Sequence, residues 1–286
     1  MHRKENWLTA AVLLLAGFWA APCFPSELAE KGREILNKHQ HAVVTVEVVL
    51  KTTYTSAGQT SNPTEAKQDV TGTVADASGL TVVALSACDP SEMYQRVMSA
   101  QSRVKVEAEV SDVKILLDDG TELPAEIVLR DKDLDLAFIR PKTKPAAPLA
   151  AIDFSQSGPA QVLDDVVTLN RLNKAASRAY SASIEHVAAV VQKPRTFYIP
   201  DSGVTATTLG SPAFLPNGKL LGVFVVRAIS SGGGSAYNPR QNMTSIILPA
   251  EDILKAAKQA PEPKGDTDKK EEPKESKEPK GGAEEK

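Results

Sequence analysis

The sequence predicts an all-β fold, and two observations carry that prediction. The apolar content comes mainly from Val, Leu, Ile and Ala, whereas aromatic residues make up only 5% of the chain. β-Branched side chains fit the pleated, half-buried surface of a sheet. Between residues 70 and 226, short β-branched runs alternate with turn residues, and helical patterns are scarce. Many strands with few crossover helices favour a barrel or a sandwich over a parallel α/β sheet.

The expected elements follow one another along the chain. Ser26 is a good N-cap for a helix over 27–37, and a strand signal follows at 42–50. The polar stretch 52–68 is expected to be a long surface loop. Residues 118–121, Asp-Asp-Gly-Thr, mark a hairpin turn. The other strands are expected at 70–75, 80–87, 113–117, 125–129, 136–140, 166–169, 182–191, 196–199 and 220–226, and two helices near 90–101 and 249–259.

Composition divides the chain into two halves and a tail. A break at 142–148, Lys-Thr-Lys-Pro-Ala-Ala-Pro, separates an N-terminal half over 26–147 from a C-terminal half over 148–260. Residues 261–286 are almost wholly Pro, Lys, Glu, Asp and Gly, and such a segment cannot offset its ordering entropy by burial. We therefore expect a disordered tail. Its charges alternate in sign and the chain's net charge is −3, which argues against a nucleic-acid partner.

The N-terminus is typical of an export signal. A basic start is followed by an apolar run from Trp7 to Ala21, which is shorter than the roughly 20 residues that a membrane span needs. We expect 1–25 to be a signal peptide, with export to the periplasm or the exterior and no membrane span after cleavage. A retained anchor and a lipoprotein acylated at Cys23 are the alternatives. After cleavage Cys88 is the one cysteine left, so neither a disulfide within the chain nor a Cys/His metal site is expected.

Three stretches together resemble a known family. Residues 72–83 are similar to the strand-turn-strand that leads to the catalytic histidine in HtrA/Deg-type serine proteases. Residues 113–140 are similar to the segment that carries the catalytic aspartate, and 210–223 to the nucleophile loop with the hairpin behind it. The resemblance spans about 42–260 in the family's order. It implies a trypsin-like fold of two six-stranded β-barrels with short N- and C-terminal helices, and it allows homo-oligomers.

The resemblance places a degenerate triad in this chain. Asp135 occupies the aspartate position, whereas Ser86 stands where the histidine belongs and Leu209 where the nucleophilic serine belongs. A hydroxyl cannot act as a general base near neutral pH, and leucine carries no nucleophile. Thr207 replaces a glycine of the oxyanion loop, which casts doubt on that anion site. The sequence thus predicts loss of the hydrolytic chemistry.

The chain contains two other candidate nucleophiles. A shift of register by two residues makes Ser211 the nucleophile, and Cys88 is a second candidate. Either needs a histidine from elsewhere in the fold, and His39, His41 and His186 are more readily explained as surface or packing residues.

Two classes of function follow. In the first, the chain is an inactive relative of serine proteases that binds an extended peptide or protein by strand addition, or serves as a scaffold. Leu209, Gly210, Ala213 and Phe214 are then the expected peptide contacts. In the second, it is a serine endopeptidase with a rearranged site. No cofactor is expected. PDZ domains, which commonly follow the barrels in this family, have no counterpart here, so PDZ-mediated recruitment is not expected.

Overall fold

The computed structural model describes residues 26–91, 104–202, 208–228 and 243–261. The expected signal peptide, most of the expected helix near 90–101 and almost all of the charged tail lie outside these residues. Within them, no helix combines the length and the apolar character needed to cross a membrane.

The N-terminal half forms a closed antiparallel barrel. Its order around the barrel is β1, β3, β4, β7, β6 and β5, and β1 pairs with β5 to close it, while the two-residue strand β2 extends the β1 hairpin. The strands are β1 Val43–Ser56, β2 Gln59–Thr60, β3 Thr64–Val74, β4 Thr81–Ala84, β5 Val104–Leu116, β6 Glu122–Asp131 and β7 Leu136–Pro141. The predicted hairpin at 118–121 is confirmed, since it connects β5 to β6.

The prediction of a surface loop over 52–68 was wrong. Strands β1 and β3 pair in continuous register from Val43 opposite Thr73 to Thr52 opposite Thr64, and the chain turns at Ala57 and Gly58. The outer part of this hairpin, residues 52–68, extends beyond the barrel. The burial of β1 falls off toward Ser56, so neither face of this arm is buried. An arm with two wetted faces shows no apolar alternation, so its strands are hidden in a polar sequence.

The C-terminal half forms a second closed barrel, and the prediction of a double six-stranded β-barrel is confirmed. The order is β8, β9, β10, β13, β12 and β11. The strands are β8 Asp165–Arg171, β9 Tyr180–Val191, β10 Phe197–Pro200, β11 Pro212–Phe214, β12 Leu220–Ala228 and β13 Met243–Pro249. Strands of the first barrel end at Pro141 and those of the second begin at Asp165, so the predicted division at 147/148 falls in the connecting segment.

The described residues include the helices α1 Glu27–His39, α2 Leu85–Cys88 and α3 Ala250–Ala257, which accompany the barrels. The Ser26 hydroxyl caps α1 by accepting from the Ala29 N–H, as its residue type predicts. Helix α1 buries Ile35 and packs on strands β8 and β9, and α3 packs on β12 and β13. Helix α2 is a single turn that continues directly from β4.

Polar contacts hold the two barrels together on one side. Arg178 in the β8–β9 turn forms a bidentate pair with Asp69 of β3, at 2.8 Å from Nε to Oδ2 and 3.2 Å from Nη2 to Oδ1. The Thr71 hydroxyl of β3 donates to Asn170 Oδ1 of β8 at 3.0 Å. Both pairs join β3 of the first barrel to the β8–β9 hairpin of the second.

Candidate functional site

Strand pairing brings Ser86 and Asp135 together. Ala84 at the end of β4 lies opposite Leu136 at the start of β7, so the residues just outside these strands are neighbours. The Ser86 N–H donates to Asp135 Oδ1 at 2.7 Å, and the Ser86 hydroxyl donates to Oδ2 at 2.8 Å. The two residues that the resemblance assigned to the histidine and aspartate positions are therefore in direct contact. Their contact is a hydroxyl–carboxylate pair, which has no imidazole to accept a proton.

Asp135 also connects the first barrel to the second. Its Oδ2 accepts from the Val226 N–H of β12 at 2.8 Å, and its own carbonyl accepts from the Leu85 N–H at 2.9 Å. Its φ of +58° is in the left-handed region, which short polar residues such as Asp tolerate. Asp135 thus links the start of α2 and the start of β7 to strand β12 of the second barrel.

Leu209 lies in a tight turn at the contact between the barrels. The side chain is half-buried and packs against the main hydrophobic core. The next residue, Gly210, has a φ of +88°, and a Cβ atom there would lie 2.1 Å from the Thr71 carbonyl oxygen. The Gly210 carbonyl accepts from the Thr73 hydroxyl at 2.8 Å. Glycine is required here both by its backbone conformation and by the close approach of β3.

Ser211, the alternative nucleophile, is enclosed. Its relative exposure is 0%, and its hydroxyl oxygen has no hydrogen-bond partner in the described structure. Its backbone is fully engaged, since its N–H donates to Thr208 and its carbonyl accepts from Phe224. Thr207, the departure at the oxyanion loop, lies outside the described residues.

The described histidines engage other partners. His39 stacks on Phe214 with ring centroids 4.8 Å apart, and burial lowers the pKa of the His39 imidazole. His41 Nδ1 lies 2.6 Å from Asp118 Oδ2. Nδ1 of His186 lies 2.8 Å from the Asp201 carboxylate, and this hydrogen bond raises the pKa of the imidazole.

No hydrogen bond links these rings to the candidate nucleophiles within the described part of the chain. Cys88 is fully buried, its thiol donates to the Leu85 carbonyl, and burial raises the pKa of the thiol to about 12. A thiol with that pKa is essentially un-ionised near neutral pH and is a poor nucleophile.

The predicted peptide contacts lie mostly beneath the surface. Ala213 and Phe214 on β11 are at most 1% exposed, and Gly210 is also buried. None of these residues, nor Leu209, lines the cavity of the cleft. Their role in peptide contact stays a prediction.

The cleft contains a cavity of about 260 Å³ next to Asp135. One wall comes from the first barrel: Leu85, Ser86, Asp89 and residues 132–135. The other comes from the second barrel: Pro194, Arg195, Phe197, residues 226–228, Ile246 and Leu248. The lining thus combines buried apolar residues, such as Leu85, Phe197 and Leu248, with more exposed charged residues. Sequence reasoning identified only the first-barrel residues Ser86 and Asp135, since the second-barrel residues belong to no motif.

The edge of β12 faces this cavity. The Phe224 N–H and carbonyl pair with Ser211 and Gly210, on the side away from β13. The Val226 N–H donates to Asp135 on that same side. Because strand residues alternate in direction, Ala228 presents its N–H and carbonyl to the same side, where the described residues include no strand partner. A short polar edge thus borders the cavity.

Metal and cofactor sites are not suggested by the side-chain chemistry. Across the described ranges, no group of three or more His, Cys, Asp or Glu side chains is arranged to hold a metal ion.

Comparison with known proteins agrees with this architecture. Residues 39–223 match the family model of the trypsin-like peptidase domain. A comparison with curated proteins found no significant match. The match covers more than half of the chain, and it coincides with two closed six-stranded barrels that meet at Asp135. The chain therefore belongs to the trypsin-like peptidase domain family.

Proposed function

We propose that this protein is a catalytically inactive member of its family that binds an extended polypeptide in the cleft between its barrels. The observation that carries the proposal is the pairing of a cavity with the polar edge of β12, next to Ser86 and Asp135, the residues that the resemblance assigns to the histidine and aspartate positions. The fold supplies a binding cleft, and the chemistry that acts on a bound peptide is lacking.

The loss of activity is supported by what each candidate group contacts. The Ser86 hydroxyl donates a hydrogen bond to the Asp135 carboxylate, and no imidazole among the described residues stands beside it to accept its proton. Ser211 is enclosed, and the Cys88 thiol has a pKa of about 12 because it is buried. An acyl-transfer enzyme needs a nucleophile and a base in hydrogen-bond contact. No described histidine provides that contact.

Binding by strand addition is supported by the direction of the β12 backbone groups. A peptide that pairs with residues 226–228 would hydrogen-bond to the Ala228 N–H and carbonyl and place alternate side chains in the cavity. Main-chain bonds of this kind give affinity with little sequence dependence, while the pocket selects particular side chains. The Leu85, Phe197 and Leu248 side chains form an apolar floor for one such side chain.

The test is binding without cleavage of an unfolded polypeptide. Fluorescently labelled, reduced and carboxymethylated lactalbumin offers many extended segments, and we expect it to bind the purified full-length chain and to stay intact. Ala228→Pro removes the N–H that faces the cavity and leaves the hydrogen bonds between β12 and β13 in place, so we expect binding to weaken by about tenfold or more. Ala228→Ser keeps the N–H and is the matched control.

Hydrogen exchange in the unmodified protein provides a second test that does not depend on the folding of the proline variant. In the unmodified protein, the Ala228 amide proton is expected to exchange more slowly with solvent once the polypeptide is bound. No binding at all, or equal binding by the Ala228→Pro and Ala228→Ser variants with no change in exchange, would contradict the proposal.

The second function, a rearranged serine endopeptidase, makes the opposite prediction. A fluorophosphonate probe should then label the protein, and Ser211→Ala should abolish both the labelling and the cleavage of lactalbumin. We expect neither labelling nor cleavage.

We further propose that the chain is exported on its N-terminal segment. This rests on the basic and apolar pattern of residues 1–25. Mass spectrometry of the protein from the cell exterior or periplasm tests it, since cleavage near residue 25 is expected. An intact N-terminus would favour the retained anchor.

A further inference from the structure

The rim of the cavity carries an uneven distribution of charge. The second-barrel wall contributes two guanidinium groups, from Arg195 and Arg227, and no carboxylate. The first-barrel wall contributes one cation, Lys132, and the carboxylates of Asp89, Asp133 and Asp135. A strand added to β12 would lie against the second-barrel wall, which carries Arg195 and Arg227, and beside Asp135, whose carboxylate accepts from the Val226 N–H.

Arg227 is placed to present its polar edge to a ligand. Its guanidinium carbon lies 5.0 Å from the centroid of the Phe197 ring, and its side chain is half-buried. Stacking on an aromatic face occupies the plane of a guanidinium group and leaves its edge N–H groups available. Neither Arg227 nor Arg195 forms an ion pair with a carboxylate in the described structure. A half-buried, pre-stacked guanidinium group loses less side-chain entropy when it binds a carboxylate than a mobile surface cation does.

Two of the three carboxylates of the opposite wall accept hydrogen bonds from groups of the protein itself. Asp135 accepts three hydrogen bonds, from the N–H and the hydroxyl of Ser86 and from the Val226 N–H. Asp89 Oδ1 accepts from both the N–H and the hydroxyl of Ser91. Asp133 lies next to Lys132 and is exposed. Asp135 keeps its negative charge at the β12 edge, and Arg195 and Arg227 are the two cations of the second-barrel wall that a ligand carboxylate would meet.

We infer that the cleft selects acidic peptides, in which a large apolar side chain enters the cavity and a neighbouring Glu or Asp pairs with Arg227 and Arg195. This inference rests on the proposed function and specifies its ligand. Charge-assisted, bidentate contacts between arginine and carboxylate supply the selectivity, and the apolar floor supplies the anchor.

The test uses capped heptapeptides with a central leucine flanked on both sides by Glu, by Gln or by Lys, in an alanine frame. Fluorescence anisotropy at 50 mM salt measures their affinities for the full chain. We expect the Glu peptide to bind about tenfold more tightly than the Gln peptide, and the Lys peptide to bind most weakly. The preference should shrink several-fold at 0.5 M salt, because exposed charges are screened.

Variants assign the preference to its residues. Arg227→Gln is expected to bring the ratio of the Glu-peptide affinity to the Gln-peptide affinity close to one. Arg33→Gln is the matched control, because it removes the same charge from an exposed position on α1 that does not line the cavity. It should leave the preference intact.

The outcomes separate this inference from the proposed function. Equal binding of all three peptides, or a Glu preference that Arg227→Gln leaves unchanged, overturns the inference and leaves peptide binding standing. Failure of all three peptides to bind at millimolar concentration, together with failure of unfolded lactalbumin, overturns the proposed function itself.

Discussion

Replacing Asp135 by Asn tests whether this carboxylate stabilises the junction of the barrels. The carboxylate accepts from the Ser86 N–H at 2.7 Å, the Ser86 hydroxyl at 2.8 Å and the Val226 N–H at 2.8 Å. In either orientation, an asparagine amide turns its NH₂ group toward one of the two backbone N–H groups. A hydrogen bond to a charged group contributes about 1.5–3 kcal/mol, and an unsatisfied buried donor costs about 1–3 kcal/mol.

We therefore expect Asp135→Asn to lower the free energy of unfolding by about 2–4 kcal/mol, because one donor loses its acceptor and the remaining bonds lose their charge. Asn tolerates the φ of +58° at this position as well as Asp does, so backbone strain does not add to the effect. Urea unfolding measures the change, with the slope expected to stay constant.

The control is Asp133→Asn, which makes the same chemical change at an exposed residue of the same loop. We expect a change within about 0.5 kcal/mol for this variant. A loss of less than about 0.5 kcal/mol for Asp135→Asn would refute the role assigned to its carboxylate.

Three further predictions concern the surroundings of the cleft. Gly210→Ala should destabilise the protein by about 3 kcal/mol or more, whereas Gly218→Ala, at a similar φ of +81° but with open space around it, should cost only about 1 kcal/mol; equal urea midpoints would contradict the packing explanation. The hydrogen bond to Asp201 raises the pKa of His186, so its stabilising contribution is complete below pH about 6.5 and is lost as the pH rises through the folded-state pKa. The difference in thermal midpoint between the unmodified protein and His186→Gln should accordingly be larger at pH 5.5 than at pH 8.5, and the reverse order would disprove this assignment. In a Cys23→Ser background, Cys88 should react with a thiol reagent only as fast as the protein unfolds; rapid labelling of the native state would show an accessible thiol.

The fold could largely be predicted from local sequence signals. Turn residues such as those at 118–121 fix where a hairpin reverses, and β-branched runs mark strands with a buried face. Where no face is buried, as in the arm over 52–68, the same signals predicted a loop. In the structure this arm is sheet, because β1 pairs there with β3 and β5. Pairing with a neighbouring strand is a long-range condition that local composition does not contain.

For the chemistry of the cleft, the sequence predicts which residue types are present. The sequence by itself predicts that the triad lacks its histidine, because the resemblance places Ser86 at that position in a recognisable segment. This prediction concerns the residue type at one position of a recognised segment, so it can be made from the chain alone.

Only the tertiary structure decided what the remaining groups contact. It joined Asp135 to Val226, 91 residues further along the chain, and enclosed Ser211 between strands. It also assembled a cavity from first-barrel loops and from Phe197 and Arg227, which share no motif. Such contacts arise when two barrels close and dock, and the free energy that selects them comes from burial and hydrogen bonding between segments far apart in sequence.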